Sequence, residues 1–131
     1  MNTELRELFD VQLEQVIAEL PEQVQALIDK VPMVVEDYPS PEVMERMGIR
    51  HRATLMGLYT GIPLTKRSVD QSGVPSDVIH IYREGIFHQS RSRDGRINEA
   101  ALRKQIRTTI LHEYGHHHGL SERDLRELGY G

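Results

Sequence analysis

His112, Glu113 and His116 carry the spacing His-Glu-x-x-His inside the stretch Ile110-Leu111-His112-Glu113-Tyr114-Gly115-His116-His117-His118-Gly119-Leu120-Ser121-Glu122. On an α-helix each residue advances about 100°, so the side chains of His112 and His116 lie about 40° apart, one turn above the other. Two imidazoles so placed can grip one metal ion, and zinc is the ion whose hydrolytic chemistry uses this pattern. Glu113 projects about 60° from His116 on the same side, near enough to act as general base on a metal-bound water without being a ligand itself. A catalytic zinc keeps three protein ligands and one open position. Glu122, beyond Gly119 and six residues past His116, stands where motifs of this extended form place a third His or an acid. Asp124 is the reserve candidate, and Glu122 has a competing role as an early acid on a terminal helix expected over residues 121–128.

Composition narrows the reading. The chain has 131 residues and no cysteine, which excludes disulfides and thiolate ligands and leaves nitrogen and oxygen donors for any metal. Structural zinc sites favour cysteine and use four protein ligands, so the motif points to a catalytic site. The length fits a single domain over residues 1–131, and with only seven aromatic residues the core must be largely aliphatic. No run approaches the roughly 18 apolar residues of a membrane span. The first residues, with Glu4, Glu7 and Asp10, lack the basic start of a signal peptide, so a cytoplasmic location without membrane association is expected. Residues 1–64 carry five basic and eleven acidic side chains, whereas residues 65–107 carry nine basic and five acidic ones. That middle segment, from Lys66 and Arg67 through Arg83 to Arg107, could attract an acidic peptide or a phosphate backbone, although solvated helix and loop faces have the same composition.

The elements that must position the motif follow from periodicity. Leu5, Leu8, Phe9, Leu13, Val16, Ile17 and Leu20 recur at three- and four-residue steps, which predicts a helix over 3–20 capped by Thr3. A second helix is expected over 21–30 with Pro21 at its first position, and a third over 41–48 between Ser40 and Gly48. Residues 33–38 read as a strand bounded by prolines, with Glu36 and Asp37 as surface charges. Residues 55–59 read as a short strand running into a turn-rich stretch from Gly57 to Leu64. Val78–Tyr82 is the clearest strand, with Ile79 and Ile81 on one face, and Gly85 is expected to turn it into a return segment at 86–89. Asp94-Gly95 marks a turn, and Asn98 caps a helix from Glu99 to His118 whose core side carries Leu102, Ile106 and Ile110. His117 falls at the same helical angle as Ile106 and Ile110, so it packs beneath the site or bonds behind it rather than ligating. His80 and His88, each outside any partnered motif, are expected to be surface or satisfied residues.

From residue 55 onward the chain resembles the small bacterial zincin-like metallopeptidases, or minimal zincins. The resemblance rests on Gly57-Leu58-Tyr59-Thr60-Gly61-Ile62-Pro63-Leu64-Thr65-Lys66-Arg67, on Ile79-His80-Ile81-Tyr82-Arg83, on the stretch from His112 to Glu122, and on Leu128-Gly129-Tyr130. It implies an α+β fold in which a small mixed β-sheet packs against helices, with the motif helix near the C-terminus and an edge strand lining the cleft. It also implies His112, His116 and Glu122 as ligands of one Zn2+ per chain, with Glu113 as the base. The larger metzincins place a methionine after the third ligand, and this chain has none beyond Met56. The leading expectation is a zinc-dependent peptidase acting on a peptide or unfolded protein, with Tyr82, Arg83 and Tyr130 as candidate oxyanion stabilisers. Two alternatives stand beside it. One is a metal-dependent endoribonuclease with a His-x-x-x-His-x-x-x-x-x-(His/Glu) site, although that class has glycine where this chain has Glu113. The other is a catalytically silent zinc-binding module closed by a fourth protein ligand. Neither the substrate nor the oligomeric state is readable from the sequence.

Overall fold

The computed structural model describes residues 1–61, 77–117 and 123. Glu122, Asp124, Gly119, His118, Tyr130, Lys66 and Arg67 lie outside the described residues, as does the expected terminal helix apart from Arg123. In chain order the elements are α1 (Thr3–Glu19), α2 (Glu22–Lys30), β1 (Met33–Glu36), α3 (Pro41–Met47), a 3-10 turn (Arg52–Thr54), β2 (Gly57–Thr60), β3 (Val78–Tyr82), α4 (Arg83–Ser90) and α5 (Glu99–His117). The three strands form one mixed sheet in the order β1-β3-β2. β1 runs parallel to β3, with Val34 opposite His80, and β2 runs antiparallel to it, with Leu58 opposite His80. The α+β class and the small mixed sheet are as the resemblance implied. No helix among the described residues is long and apolar enough to cross a membrane.

Helix α5 organises the core. Its Leu102, Ile106 and Ile110 are fully buried and meet Phe9 and Leu13 of α1, Ile79 and Ile81 of β3, and Ile86 and Phe87 of α4. The aliphatic expectation holds, with an aromatic centre added. Phe9 and Phe87 pack edge to face with centroids 5.7 Å apart. The Tyr114 hydroxyl, also buried, donates to the Val31 carbonyl at 2.9 Å and so ties α5 to the end of α2, just before β1 begins.

Several local expectations need correction. Asn2, not Thr3, caps α1, since its Oδ1 accepts from the Leu5 N–H at 2.8 Å; both residue types can cap, and the one whose side chain reaches the third following amide does so. Pro21 is the N-cap of α2 rather than its first helical residue. β1 ends at Glu36. The strand expected over 55–59 is present as Gly57–Thr60, starting two residues later and running one residue further into the stretch expected to be turn-rich. The return segment expected at 86–89 is helical, because α4 starts directly after β3 and turns Ile86 and Phe87 into the core. Gly85 is therefore no turn residue. It is a close-approach position, since a Cβ there would collide with the Leu55 carbonyl. Asn98 caps α5 as expected, accepting from the Ala101 N–H at 3.0 Å, and Ser40 and Gly48 bound α3 as expected, the latter at φ 68°.

Charged residues fix the segment that leads into β2. Arg52 sits over the Tyr38 ring at 3.9 Å and pairs with Glu84 of α4 at 2.8 Å. Arg83, its side chain 14% exposed, reaches Asp10 of α1 and Asp37 after β1. Asp37 also pairs with Arg6 at 2.6 Å, and that hydrogen bond is the main reason its carboxyl is held below the usual range. Glu36 pairs with His80 across the parallel strands at 2.8 Å. Glu36 and Asp37 are thus anchored groups and not free surface charges, and His80 is satisfied as expected.

Removing the Tyr114 hydroxyl leaves the buried Val31 carbonyl without its donor. Tyr114→Phe is expected to lower unfolding free energy by about 1–3 kcal/mol, read by urea denaturation with an unchanged slope.

Candidate active site

Strand β2 and helix α5 form the two walls of one cleft. On the strand side lie Leu55, Met56 and Gly57; on the helix side lie Gln105, Thr108 and Thr109, then His112, Glu113 and His116. The cleft encloses about 330 Å³. The three motif residues therefore line the cleft together from one side of α5; at about 100° per residue His112 and His116 stand beside the face that carries Leu102, Ile106 and Ile110 into the core, and Glu113 falls at the helical angle of Leu102 and Ile106. The residues before the motif on the cleft side repeat its spacing: Thr108 and Thr109 precede His112 and Glu113 by four, and Gln105 precedes His112 by seven. That periodicity was the available signal for the cleft wall, and it lies hidden among polar residues that read equally well as a solvated face.

The walls meet closely at one point. A Cβ on Gly57 would fall 2.9 Å from Thr109 Cγ2, 3.0 Å from Glu113 Cγ and 3.2 Å from the His80 carbonyl oxygen. With no side chain there, the strand backbone itself reaches the Glu113 side chain. The Tyr82 N–H donates to the Met56 carbonyl at 2.9 Å, so the alternation of an antiparallel pair turns the backbone groups of Gly57 and Tyr59 away from β3, toward the outer edge. The Tyr59 N–H there donates to the Glu113 carboxylate.

Glu113 is the electrostatically unusual group. Its side chain is 13% exposed, and burial pushes its pKa from 4.5 up to about 7, with the Tyr59 N–H pulling part of the way back. His116 Nδ1 lies 3.7 Å from Glu113 Oε2, and the His116 side chain is 42% exposed to the cleft. His117 points the other way, buried, with Nδ1 2.8 Å from Asp77 Oδ2 and the Tyr59 ring edge-on to it. Its position behind the site agrees with its helical angle. His88 is exposed on α4 and is not part of the cleft lined by the motif.

Two imidazoles one turn apart, opening into a cleft beside a buried carboxylate, are a donor set that suits zinc. Among the described residues no three His, Cys, Asp or Glu gather into a metal cluster, and the third-ligand candidates Glu122 and Asp124 lie outside them. Of the expected oxyanion stabilisers, Arg83 is committed to Asp10 and Asp37. Tyr82 is buried, and burial, with Glu36 and Glu113 nearby, pushes its pKa up to about 12. Neither side chain is part of the described cleft lining. Sequence reasoning also missed Gly57 as the contact point, Tyr59 as the donor to the Glu113 carboxylate, and Asp77 as the partner of His117.

No match to the chain is found among curated proteins. Residues 28–131, most of the chain and the whole of the cleft, match the family of zincin-like metallopeptidases, and the chain belongs to that family.

Proposed function

We propose that the chain is a zinc-dependent peptidase in which His112, His116 and Glu122 hold one Zn2+ and Glu113 is the general base. The observation that carries this is the burial of Glu113 between two cleft-facing imidazoles and the backbone of an outer strand. When bound, zinc polarises the scissile carbonyl and lowers the pKa of the attacking water. Glu113 takes the proton from that water and passes it to the leaving amine, and a carboxyl balanced near neutrality is suited to both transfers. The Tyr59 N–H holds the carboxylate in place for the first transfer.

An extended peptide fits the open side of β2. The strand is outermost in the described sheet, and the peptide groups of Gly57 face its outer edge, where another strand can pair. Main-chain pairing at this edge lays the substrate across His112, Glu113 and His116. The cleft walls are apolar and hydroxyl-bearing, from Leu55 and Met56 to Thr108 and Thr109, and the described lining carries no Lys or Arg. A phosphate backbone would call for such cations, and Arg83 of the basic segment is already neutralised within the fold. These features favour peptide over RNA. A peptide or unfolded-protein substrate and a cytoplasmic setting complete the proposal.

Metal content of the purified full chain, read by mass spectrometry, should be about one zinc per chain and should fall to near zero in His116→Ala. Wild-type protein that takes up no zinc would remove the basis of the proposal. Glu113→Gln should keep its zinc and lose unfolded-protein hydrolysis by a factor of about 10²–10⁴, with no RNA cleavage by either form. Turnover retained in zinc-loaded Glu113→Gln would show that another group is the base.

Metal-free protein gives an independent reading of Glu113. Its pKa is raised by folding, so below about pH 4.5 both states are protonated and the residue costs nothing. Between 4.5 and about 7 the unfolded chain ionises first, and stability falls as pH rises until the folded-state value is passed. Glu113→Gln should therefore stabilise the metal-free protein by about 1–3 kcal/mol at pH 8 and by little at pH 4.5. Equal effects at the two values would contradict the burial assigned to this carboxyl.

A further inference from the structure

Asp77 and His117 take no part in the proton transfers above, yet they form a deeply buried polar pair directly behind the cleft. Asp77 immediately precedes β3, and His117 is the last residue of α5. His117 Nδ1 lies 2.8 Å from Asp77 Oδ2, with the two side chains 6% and 4% exposed. A carboxylate and an imidazole taken this far from water are costly unless they face one another, so the pairing holds each in place.

The surroundings are shaped around the pair. The Tyr59 ring meets His117 edge-on, with centroids 5.6 Å apart and planes at 66°. Gly61, just past the end of β2, has φ 140°, and a Cβ there would collide with the Asp77 carboxylate. A conformation that L side chains avoid thus coincides with the place where a side chain would displace Asp77. Tyr59 joins the two systems, since its ring packs on His117 while its N–H donates to Glu113.

His116 and His117 stand together on the last described turn of α5. Successive residues are about 100° apart around the axis, so a fixed His117 fixes the direction in which His116 leaves the helix. We infer that Asp77 is a positioning residue: through His117 it locks the last turn of α5 against the start of β3 and sets the angle at which His116 enters the cleft. The inference rests on the reading of His112 and His116 as zinc ligands.

The test compares full-length wild type, Asp77→Asn and Tyr114→Phe, the last weakening the same helix through its contact with Val31. Three quantities are read: zinc affinity by competition with a chromogenic chelator, the visible absorption of the Co2+-loaded protein, and melting of the metal-free protein. Asp77→Asn is expected to fold cooperatively, to bind zinc about tenfold more weakly and to shift the Co2+ bands, while Tyr114→Phe keeps wild-type affinity and bands. Unchanged affinity and bands in Asp77→Asn overturn the inference. So does an equal loss in Tyr114→Phe, which would mark a general effect of destabilisation. So does an Asp77→Asn chain that cannot fold, since the pair would then hold the fold and not the site. Wild type that binds no zinc defeats the metal reading itself, whereas zinc-binding wild type beside an indifferent variant defeats this inference alone.

Discussion

Strand β2 can lie against helix α5 only because residue 57 has no side chain. The space a Cβ would need is already filled by Thr109, Glu113 and the backbone of His80, all within 3.2 Å. From that contact follow the burial of Glu113, the reach of the Tyr59 N–H to its carboxylate, and a cleft wall made of peptide backbone. Other parts of the fold serve the same approach. Gly85 lets α4 press on the Leu55 carbonyl, and Arg52, between Tyr38 and Glu84, pins the turn from which β2 starts. A strand placed farther out would leave the Glu113 carboxyl closer to water and weaken the desolvation that raises its pKa.

Helix α5 has two occupations and divides them by face. Leu102, Ile106 and Ile110 are fully buried, which fixes the rotation of the helix about its axis as rigidly as branched side chains in a close-packed core allow. The side of the helix next to that face is thereby aimed at β2, and His112, Glu113 and His116 need no loop to place them. Groups carried on a packed helix are held more closely than groups carried on a loop. Toward the last described turn polar contacts join the apolar ones, with the Tyr114 hydroxyl bonded to the Val31 carbonyl and His117 set against Asp77.

The parts of this fold legible in the sequence are those that local chemistry decides. The β3 strand, the Asn98 cap, the Ser40 and Gly48 boundaries and the buried face of α5 each follow from a period or a capping side chain a few residues away. The helical spacing of the motif gave its common face for the same reason. What could not be read were contacts between distant segments. Gly85 looked like a turn because glycine usually is one, and only the presence of Leu55 makes it a packing position. Gly57 falls where the expected strand meets the turn-rich stretch, and nothing local shows that its partners are Thr109 and Glu113, more than fifty residues on. Arg83 was read as available to a substrate because nothing local reveals that Asp10 and Asp37 converge on it.

Glu113 shows how this distant packing becomes chemistry. An exposed glutamate is ionised well below neutral pH and is a feeble base, because its conjugate acid is too strong. Burial against β2 raises its proton affinity, and the Tyr59 N–H offsets only part of that rise. The fold therefore holds a carboxyl whose charged form it disfavours, a cost accepted at few positions other than functional ones. Two imidazoles beside it invite a cation, and a cation there would favour the charged form again. The carboxylate would then be desolvated and yet ionised, with its proton affinity set by the distance between a strand and a helix. Gly57 sets that distance, so the residue with no functional group of its own governs the proton affinity of Glu113.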